Sequence, residues 1–506
     1  MKKIFLLATC TLLAVTVAWA QKAAKTPNII YILTDDLGYG DVHCLNPEGK
    51  ISTPNMDRLA REGMTFTDAH SSSAVCTPSR YSILTGRYAW RTKLKNGVLY
   101  GYSDPLIDSN RLTVAGMLQQ RGYATACIGK WHLGMRWQQK GGPPDKPVYD
   151  YSKPILNGPN TLGFDYFYGI SASLDMPPFV YIENDRTVGI PDTVKKWVRE
   201  GAAMKSFEAE NCVPDLTAKA VNYIQQQAKG KKPFFLYFTL PSPHTPIVVH
   251  KDFKGKSGVT DYGDYVVETD WSIGQVLQAL DNAGLRENTI VMFASDNGFA
   301  PYVLKDFNVE EKGHYPSYIY RGYKADIWEG GHRIPFIVRW PASVKAGSAC
   351  GETVCLSDFM ATVASITGAA IPDNAAEDSY NIQSYLRGTA KKEIRAATVH
   401  HSINGNFAIR QGKWKLELCY GSGGWGTPRE EAAIKEGLPS IQLYDLSTDI
   451  KEQHNVQAEH PDMVRSMLAL LEKYVKEGRS TPGKSQSNDA PVDLYRKPAA
   501  GGAQGG

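Results

Sequence analysis

The chain has 506 residues, of which 42% are apolar and 21% charged, and its net charge is +4. That length is more than one ordinary core and suits a large domain with a smaller one. The near-neutral charge and scattered Lys and Arg exclude a nucleic-acid arm, so no nucleic-acid partner is expected.

The chain opens with two lysines, an apolar stretch and Ala18-Trp19-Ala20. This is the pattern of a secretory signal cut after residue 20, and its apolar part is shorter than the ~20 residues of a spanning helix. No later segment is apolar enough to span, so an exported protein is expected, most simply periplasmic, with secretion or surface association open. Of the eight cysteines, the seven after Cys10 are an odd number for an oxidising compartment. Setting Cys76 aside leaves six, and Cys350 and Cys355 are close enough in sequence to pair locally.

Four apolar runs end in polar chemistry. Residues 28–36 stop at Asp35-Asp36, 123–134 at Lys130 and His132, 231–246 at His244, and 288–298 at Asp296-Asn297-Gly298. Near-continuous apolar runs indicate a sheet covered on both faces. Helical patterns alternate with them at 53–63, 113–122, 215–230 and 268–284, the last with Thr269 or Asp270 as N-cap and Gly284 as stop. Strand-helix alternation predicts an α/β domain over 21–375: a large mixed, mostly parallel sheet between helices, with function gathered at the carboxyl ends of the strands. After the looser stretch at 370–395 come short alternating strands and a helix at 460–478. These predict a C-terminal α+β subdomain over 376–480 on a small antiparallel sheet. Residues 481–506, rich in Gly, Ala and Pro, read as a flexible tail.

Two adjacent carboxylates at a strand end repel unless a cation lies between them. Asp35, Asp36, Asp296 and Asn297 offer oxygen only, which selects a hard cation, Ca²⁺ or Mg²⁺, over Zn²⁺. Lys130, His132, His244 and Lys324 add cationic donors near it, an arrangement for an anionic group such as sulfate or phosphate. Cys76, in a serine-rich loop, is open to three readings: nucleophile, metal ligand or core. If a helix starts there, Arg80 shares its face, Pro78 suits the first turn, and the helix dipole favours an anion.

The segment "CTPSR" followed by "LTG" resembles the signature of the type I sulfatases, formylglycine-dependent members of the alkaline phosphatase-like superfamily. The likeness extends over most of 27–345. It takes in "PNIIYILTDDLGYGD", "GYATACIGKWHLG", "PSPHTP", "ASDNG" and "KADIWEGGHRIP", in the family's order. The resemblance implies that a maturation enzyme oxidises Cys76 to formylglycine (3-oxoalanine), whose hydrate attacks sulfur and then expels sulfate. It implies one Ca²⁺ held by Asp35, Asp36, Asp296, Asn297 and the modified Cys76. Arg80 and Lys130 would steady the diol, and His132 would take its proton. His244 and Lys324 would bind sulfate and the leaving oxygen, His244 as general acid. Ser173 stands where family members contact sulfate.

Residues 173–186 and 400–425 are expected to wall the pocket, with Asp175, His401 and Trp425 as sugar-contact candidates. The second stretch resembles bacterial carbohydrate sulfatases of the arylsulfatase A and N-acetylgalactosamine-6-sulfatase group. The expected activity is exo-acting desulfation of galactose or N-acetylgalactosamine residues in glycans. The alternatives are a phosphatase or phosphodiesterase of the same superfamily and a non-catalytic glycan-binding protein.

Overall fold

The computed structural model describes residues 26–495. The signal segment expected at 1–20 lies outside them. Ten strands form the main sheet. They are β1 (Asn28–Thr34), β2 (Met64–Phe66), β3 (Ala124–Lys130), β4 (Tyr166–Ile170), β5 (Ile182–Glu183), β6 (Arg186–Thr187), β7 (Phe234–Thr239), β8 (Thr289–Ser295), β9 (Phe336–Arg339) and β10 (Ser348–Cys350). Their order is β10-β2-β9-β8-β1-β7-β3-β4-β5-β6. The centre, β8-β1-β7-β3-β4, is parallel, and β9, β5 and β6 join antiparallel.

The apolar runs are strands because both faces of the sheet are covered. Along β1, Ile30 and Ile32 enter one core while Ile29, Tyr31 and Leu33 enter the other. Helices α1 (Pro54–Glu62), α4 (Cys212–Gln227) and α5 (Asp261–Asn282) fill the first core. Helices α2 (Cys76–Thr85), α3 (Val114–Gln120) and α6 (Phe359–Thr367) fill the second. Each fully buried aliphatic is worth ~1.5–3 kcal/mol, so the sheet is a stiff base for whatever follows its strands. The parallel strands finish level: Thr34 lies opposite Ser295, Leu33 opposite Thr239, Thr239 opposite Gly129, and Lys130 opposite Ile170. Gly129 has φ +126°, and a Cβ there would sit 1.8 Å from the Thr239 carbonyl oxygen, so only glycine lets β3 and β7 close at this edge.

The C-terminal part holds a four-stranded antiparallel sheet. Its strands are β11 (Thr398–His401), β12 (Phe407–Gln411), β13 (Trp414–Glu417) and β14 (Gln442–Asp445), covered by α7 (Pro461–Glu477). Val399, Ile409, Leu416 and Leu443 meet Met467 and Leu471 in a third core.

Three expectations need correction. First, α5 starts at Asp261, capped by Thr260, whose hydroxyl accepts from the Gly263 N–H. Thr269 and Asp270 are buried within the helix. Asp270 is still a cap, but of α1, where it accepts from the N–H groups of Asn55 and Met56 at 3.1 and 2.8 Å. Second, residues 481–495 are not a loose tail. Asp489 pairs with Arg87 at 3.0 Å, Asn488 accepts from Arg91 at 3.0 Å, and Leu494 joins the third core. Third, all seven described cysteines are free. Cys350 and Cys355 lie on separate short strands, beside 64–66 and 69–70, and are not bonded to each other.

Candidate functional site

The level strand ends bring four loops together. After β1, Asp35 donates its N–H to Ser242 at 3.0 Å, and Asp36 turns with φ +62°. After β8, Asp296 Oδ1 accepts from the Asp36 N–H at 3.3 Å. Asn297 donates from Nδ2 to Asp36 Oδ1 at 2.7 Å. Helix α2 starts at Cys76. The loop before it is clamped, because Ala74 donates to His401 O at 2.9 Å and accepts from Ala325 at 2.8 Å.

Cys76 is 2% exposed, and its sulfur shares a 4.8 Å neighbourhood with donor atoms of Asp35 and Asp296. Burial pushes its thiol up to about 11, against the pull of Lys130 and Lys324. A protonated, enclosed thiol is a poor nucleophile as it stands.

The cations face these acids. Arg80, one turn along α2 from Cys76, reaches Asp296 Oδ2 at 2.8 Å and Asp35 Oδ1 at 3.7 Å. Lys130 Nζ lies 2.5 Å from Asp35 Oδ2, and Lys324 Nζ 2.8 Å from Asp36 Oδ2. Burial opposes ionisation of Asp35, but Lys130, His244, Arg80 and Lys324 outweigh it and hold its carboxyl well below the usual range. Asp296 goes the other way, raised by burial and by the charge of Asp35. Two close carboxylates with opposite shifts are what a shared cation would relieve.

His244 Nε2 lies 3.6 Å from Asp36 Oδ2, and its Nδ1 lies 2.6 Å from the Thr245 carbonyl. A carbonyl only accepts, so Nδ1 carries the hydrogen and Nε2 is the nitrogen turned toward Asp36. His132, at φ +58°, donates from Nε2 to the Leu99 carbonyl at 2.7 Å, which leaves Nδ1 as a buried lone pair without a partner. Burial, then Lys130 and Arg80, hold it well below the usual imidazole value, so it is neutral.

Of the four pocket candidates, Asp175 reaches the cluster, its Oδ1 4.0 Å from His244 Nδ1. Ser173 Oγ is buried without a partner, in a segment whose Ser171 carbonyl accepts from the His132 N–H. His401 is buried with its ring 5.2 Å from Phe407, and its carbonyl braces the loop before Cys76. Trp425 is half-buried and donates its N–H to Asp326, two residues past Lys324. Two residues escaped sequence reading. Tyr302 accepts from the Thr245 N–H at 2.7 Å and stands 3.5 Å from Asp36 Oδ2. Arg199 holds Asp175 at 2.5 Å. Neither belongs to a motif, and Arg199 finds its partner across an unrelated turn.

The donor set suits a hard cation. Asp35 Oδ1 and Asn297 Oδ1 are buried without a hydrogen-bond donor and lie among oxygen ligands. A second buried group, His70, His332 and His400, also has metal-binding residue types. Its geometry forbids an ion. The His332 and His400 rings stack at 4.0 Å and 6°, so their in-plane lone pairs do not converge. Every ring nitrogen of the three already has a polar neighbour: Asp68 and Arg410, the other imidazole, or Ile327, Ser71 and Thr398. This group joins the main domain to the C-terminal sheet.

A protein-family model described as Sulfatase matches residues 27–369. Among curated relatives, an N-acetylgalactosamine-6-O-sulfatase of Bacteroides thetaiotaomicron is 36% identical over 89% of this chain and 93% of that protein. Human arylsulfatase A is 30% identical over 94% of this chain and 93% of its own. A solved chain described under metabolism of multiple glycosaminoglycans by Bacteroides thetaiotaomicron superposes with a TM-score of 0.78. It is 35% identical and covers 88% of this chain and 99% of that one.

Proposed function

The chain belongs to the sulfatase family and is a sulfuric ester hydrolase; on that premise we propose that it is an exported, exo-acting enzyme removing sulfate from N-acetylgalactosamine or galactose residues of glycans. The observation that carries the substrate class is its near full-length likeness to the N-acetylgalactosamine-6-O-sulfatase. Export rests on the opening segment read from the sequence. Among the described residues, no helix is long and apolar enough to cross a membrane. The phosphatase reading loses to the family match. The non-catalytic reading loses support because the acids, cations and histidines that the resemblance requires are all present and close together.

Asp35, Asp36, Asp296 and Asn297 would hold Ca²⁺, which when bound supplies positive charge for a sulfate oxygen. Cys76, as formylglycine made by a maturation enzyme, would supply a hydrated aldehyde in place of its buried thiol. The chain's own groups have clear tasks. Lys130 keeps Asp35 ionised, and Arg80 fixes Asp296 while the start of α2 adds its dipole. Lys324 and His244 face the same Asp36 oxygen, where an anionic sulfate would gain from both. His244 Nε2 would protonate a leaving sugar oxygen, and neutral His132 would accept a proton at Nδ1. Ser173, Asp175, His401 and Trp425 line or brace the sugar side.

Turnover of a panel of sulfated monosaccharides tests this reading. Release of sulfate from 6-O-sulfated N-acetylgalactosamine or galactose is expected, and activity confined to glucosamine or aryl sulfates would refute it. Mass spectrometry of the Cys76 peptide reads the modification directly.

A further inference from the structure

Outside the catalytic cluster lies an open cleft of about 1040 Å³ whose wall is the loop from Tyr315 to Arg321. Tyr315 is 51% exposed, Tyr318 38% and Ile319 38%, so two aromatic side chains and an aliphatic one stand along this wall. Lys50 and Lys451, both exposed, line it against a single carboxylate, Glu48. Half-exposed Arg321 also lines it, but is engaged over the Trp328 ring at 3.6 Å and donates to the Glu452 carbonyl.

A second observation marks the loop as built. Tyr318 sits at φ +58°, a region that a bulky side chain rarely occupies. It is held there from below. Its N–H donates to Tyr315 O at 2.8 Å, and its ring stacks on buried Tyr39 at 6.2 Å. Gly40 makes the close approach possible, since a Cβ there would lie 2.1 Å from the Tyr315 carbonyl oxygen. The fold thus fixes the part-exposed Tyr318 ring in the cleft wall at a backbone cost.

The cleft is tied covalently to the site at both ends. Arg321 precedes Lys324 by three residues, and Gly40 follows Asp36 by four. At ~3.3–3.6 Å per residue these anchors lie within roughly 15 Å of the groups facing Asp36, the reach of a few sugar units.

We propose that this cleft binds the continuation of an anionic glycan chain, beyond the sugar whose sulfate is removed. Tyrosine faces suit the C–H faces of sugar rings, and Lys50 and Lys451 suit carboxylate or sulfate groups along the polymer. The proposal rests on the carbohydrate-sulfatase reading above and adds a second, length-dependent contact to it.

The test compares wild type with Lys451→Glu and with Tyr318→Gly, which the backbone conformation accepts. The substrates are a 6-O-sulfated N-acetylgalactosamine monosaccharide and a uronic-acid-containing oligosaccharide of four to six sugars ending in it. Expected is a rise in KM of about tenfold on the oligosaccharide, with monosaccharide turnover unchanged. Equal losses on both substrates, or none on either, would overturn the proposal. Calorimetry with the desulfated oligosaccharide decides the cleft even if wild type leaves the monosaccharide intact, an outcome that sinks the substrate reading instead. Binding weakened at least fivefold in both variants supports it. Unchanged binding, or equal affinity of wild type for polyglutamate, overturns it.

Discussion

The cluster at the strand ends and the one at the domain junction use the same building blocks: buried carboxylates, histidines, arginines and a lysine. At the junction, Asp68 receives Arg333 and Arg410 at 2.8 and 2.7 Å, the imidazoles bond to one another and to the backbone, and Lys415 sits 3.2 Å from both Glu329 and Glu417. At the strand ends, Asp35 Oδ1, Asn297 Oδ1, His132 Nδ1, Ser173 Oγ and Asp175 Oδ1 have no hydrogen-bond partner. Each such atom left unmet costs about 1–3 kcal/mol, so several in one place are a reserve held for a ligand. At the junction Glu329 Oε1 and Glu417 Oε1 also lack a hydrogen bond, but each lies 3.2 Å from Lys415 Nζ. Asn297 Oδ1, His132 Nδ1 and Ser173 Oγ are neutral atoms left unmet, and those atoms, not residue type, separate the site from the scaffold.

Substitutions test that contrast. Cys76→Ala should reduce sulfate release to background while the thermal midpoint stays within about 2 °C of wild type, since a small side chain at the helix start is lost. His244→Ala should lower kcat by about 10²–10⁴ with little change in denaturant midpoint. At the junction the pattern reverses. Asp68→Ala strands two buried guanidiniums and should cost about 3–5 kcal/mol in urea unfolding, with kcat of the folded fraction intact. Loss of activity without loss of stability in that variant would erase the distinction.

Metal removal moves stability less than Asp68→Ala does. Chelation should abolish turnover, and Ca²⁺ at a hundredfold excess over its Kd should return about 2.7 kcal/mol of stability. Asn297→Ala should lose that rise and His400→Ala keep it. A stoichiometric metal that disappears in His332→Ala would break the comparison from the other side. The smallest effect concerns acid. Burial pushes Asp68 up, yet Arg333 and Arg410 pull its carboxyl well below the usual range. A lowered folded value means its stabilisation is full above the unfolded value of about 4 and is lost as pH falls toward the folded one. Unfolding curves from pH 7 down to 3 should therefore slope less steeply in Asp68→Asn than in wild type.

The strand-end acids were legible because each follows a short run whose burial on both faces can be read from composition alone. The start of α5 was not. Thr269-Asp270 has the look of a cap, and only the tertiary fold shows Asp270 capping α1 across the sheet surface. The junction histidines carried no signal, since His70 and His332 meet across 262 residues and neither sits in a metal-ligand spacing. The cysteine pair misled because proximity in sequence says nothing about which neighbouring strand each residue joins. Trp425 and His401 were placed near the pocket by the loop they occupy, but their backbone roles in bracing residues 73–74 and Asp326 depend on contacts that only folding makes.

The packed end of the chain has a bearing on timing. Arg87 and Arg91 lie just past the helix that Cys76 begins, both are fully buried, and Asp489, 402 residues after Arg87, supplies two of its hydrogen bonds. The ribosome delivers that partner 402 residues later. Until it arrives, the Arg87 guanidinium beside the helix that Cys76 begins lacks two of its hydrogen bonds, and tight closure of that region is uphill. The segment around Cys76 is therefore made well before the contact that locks its surroundings, which leaves any chemistry that must reach an extended "CTPSR" the time taken to add those 402 residues.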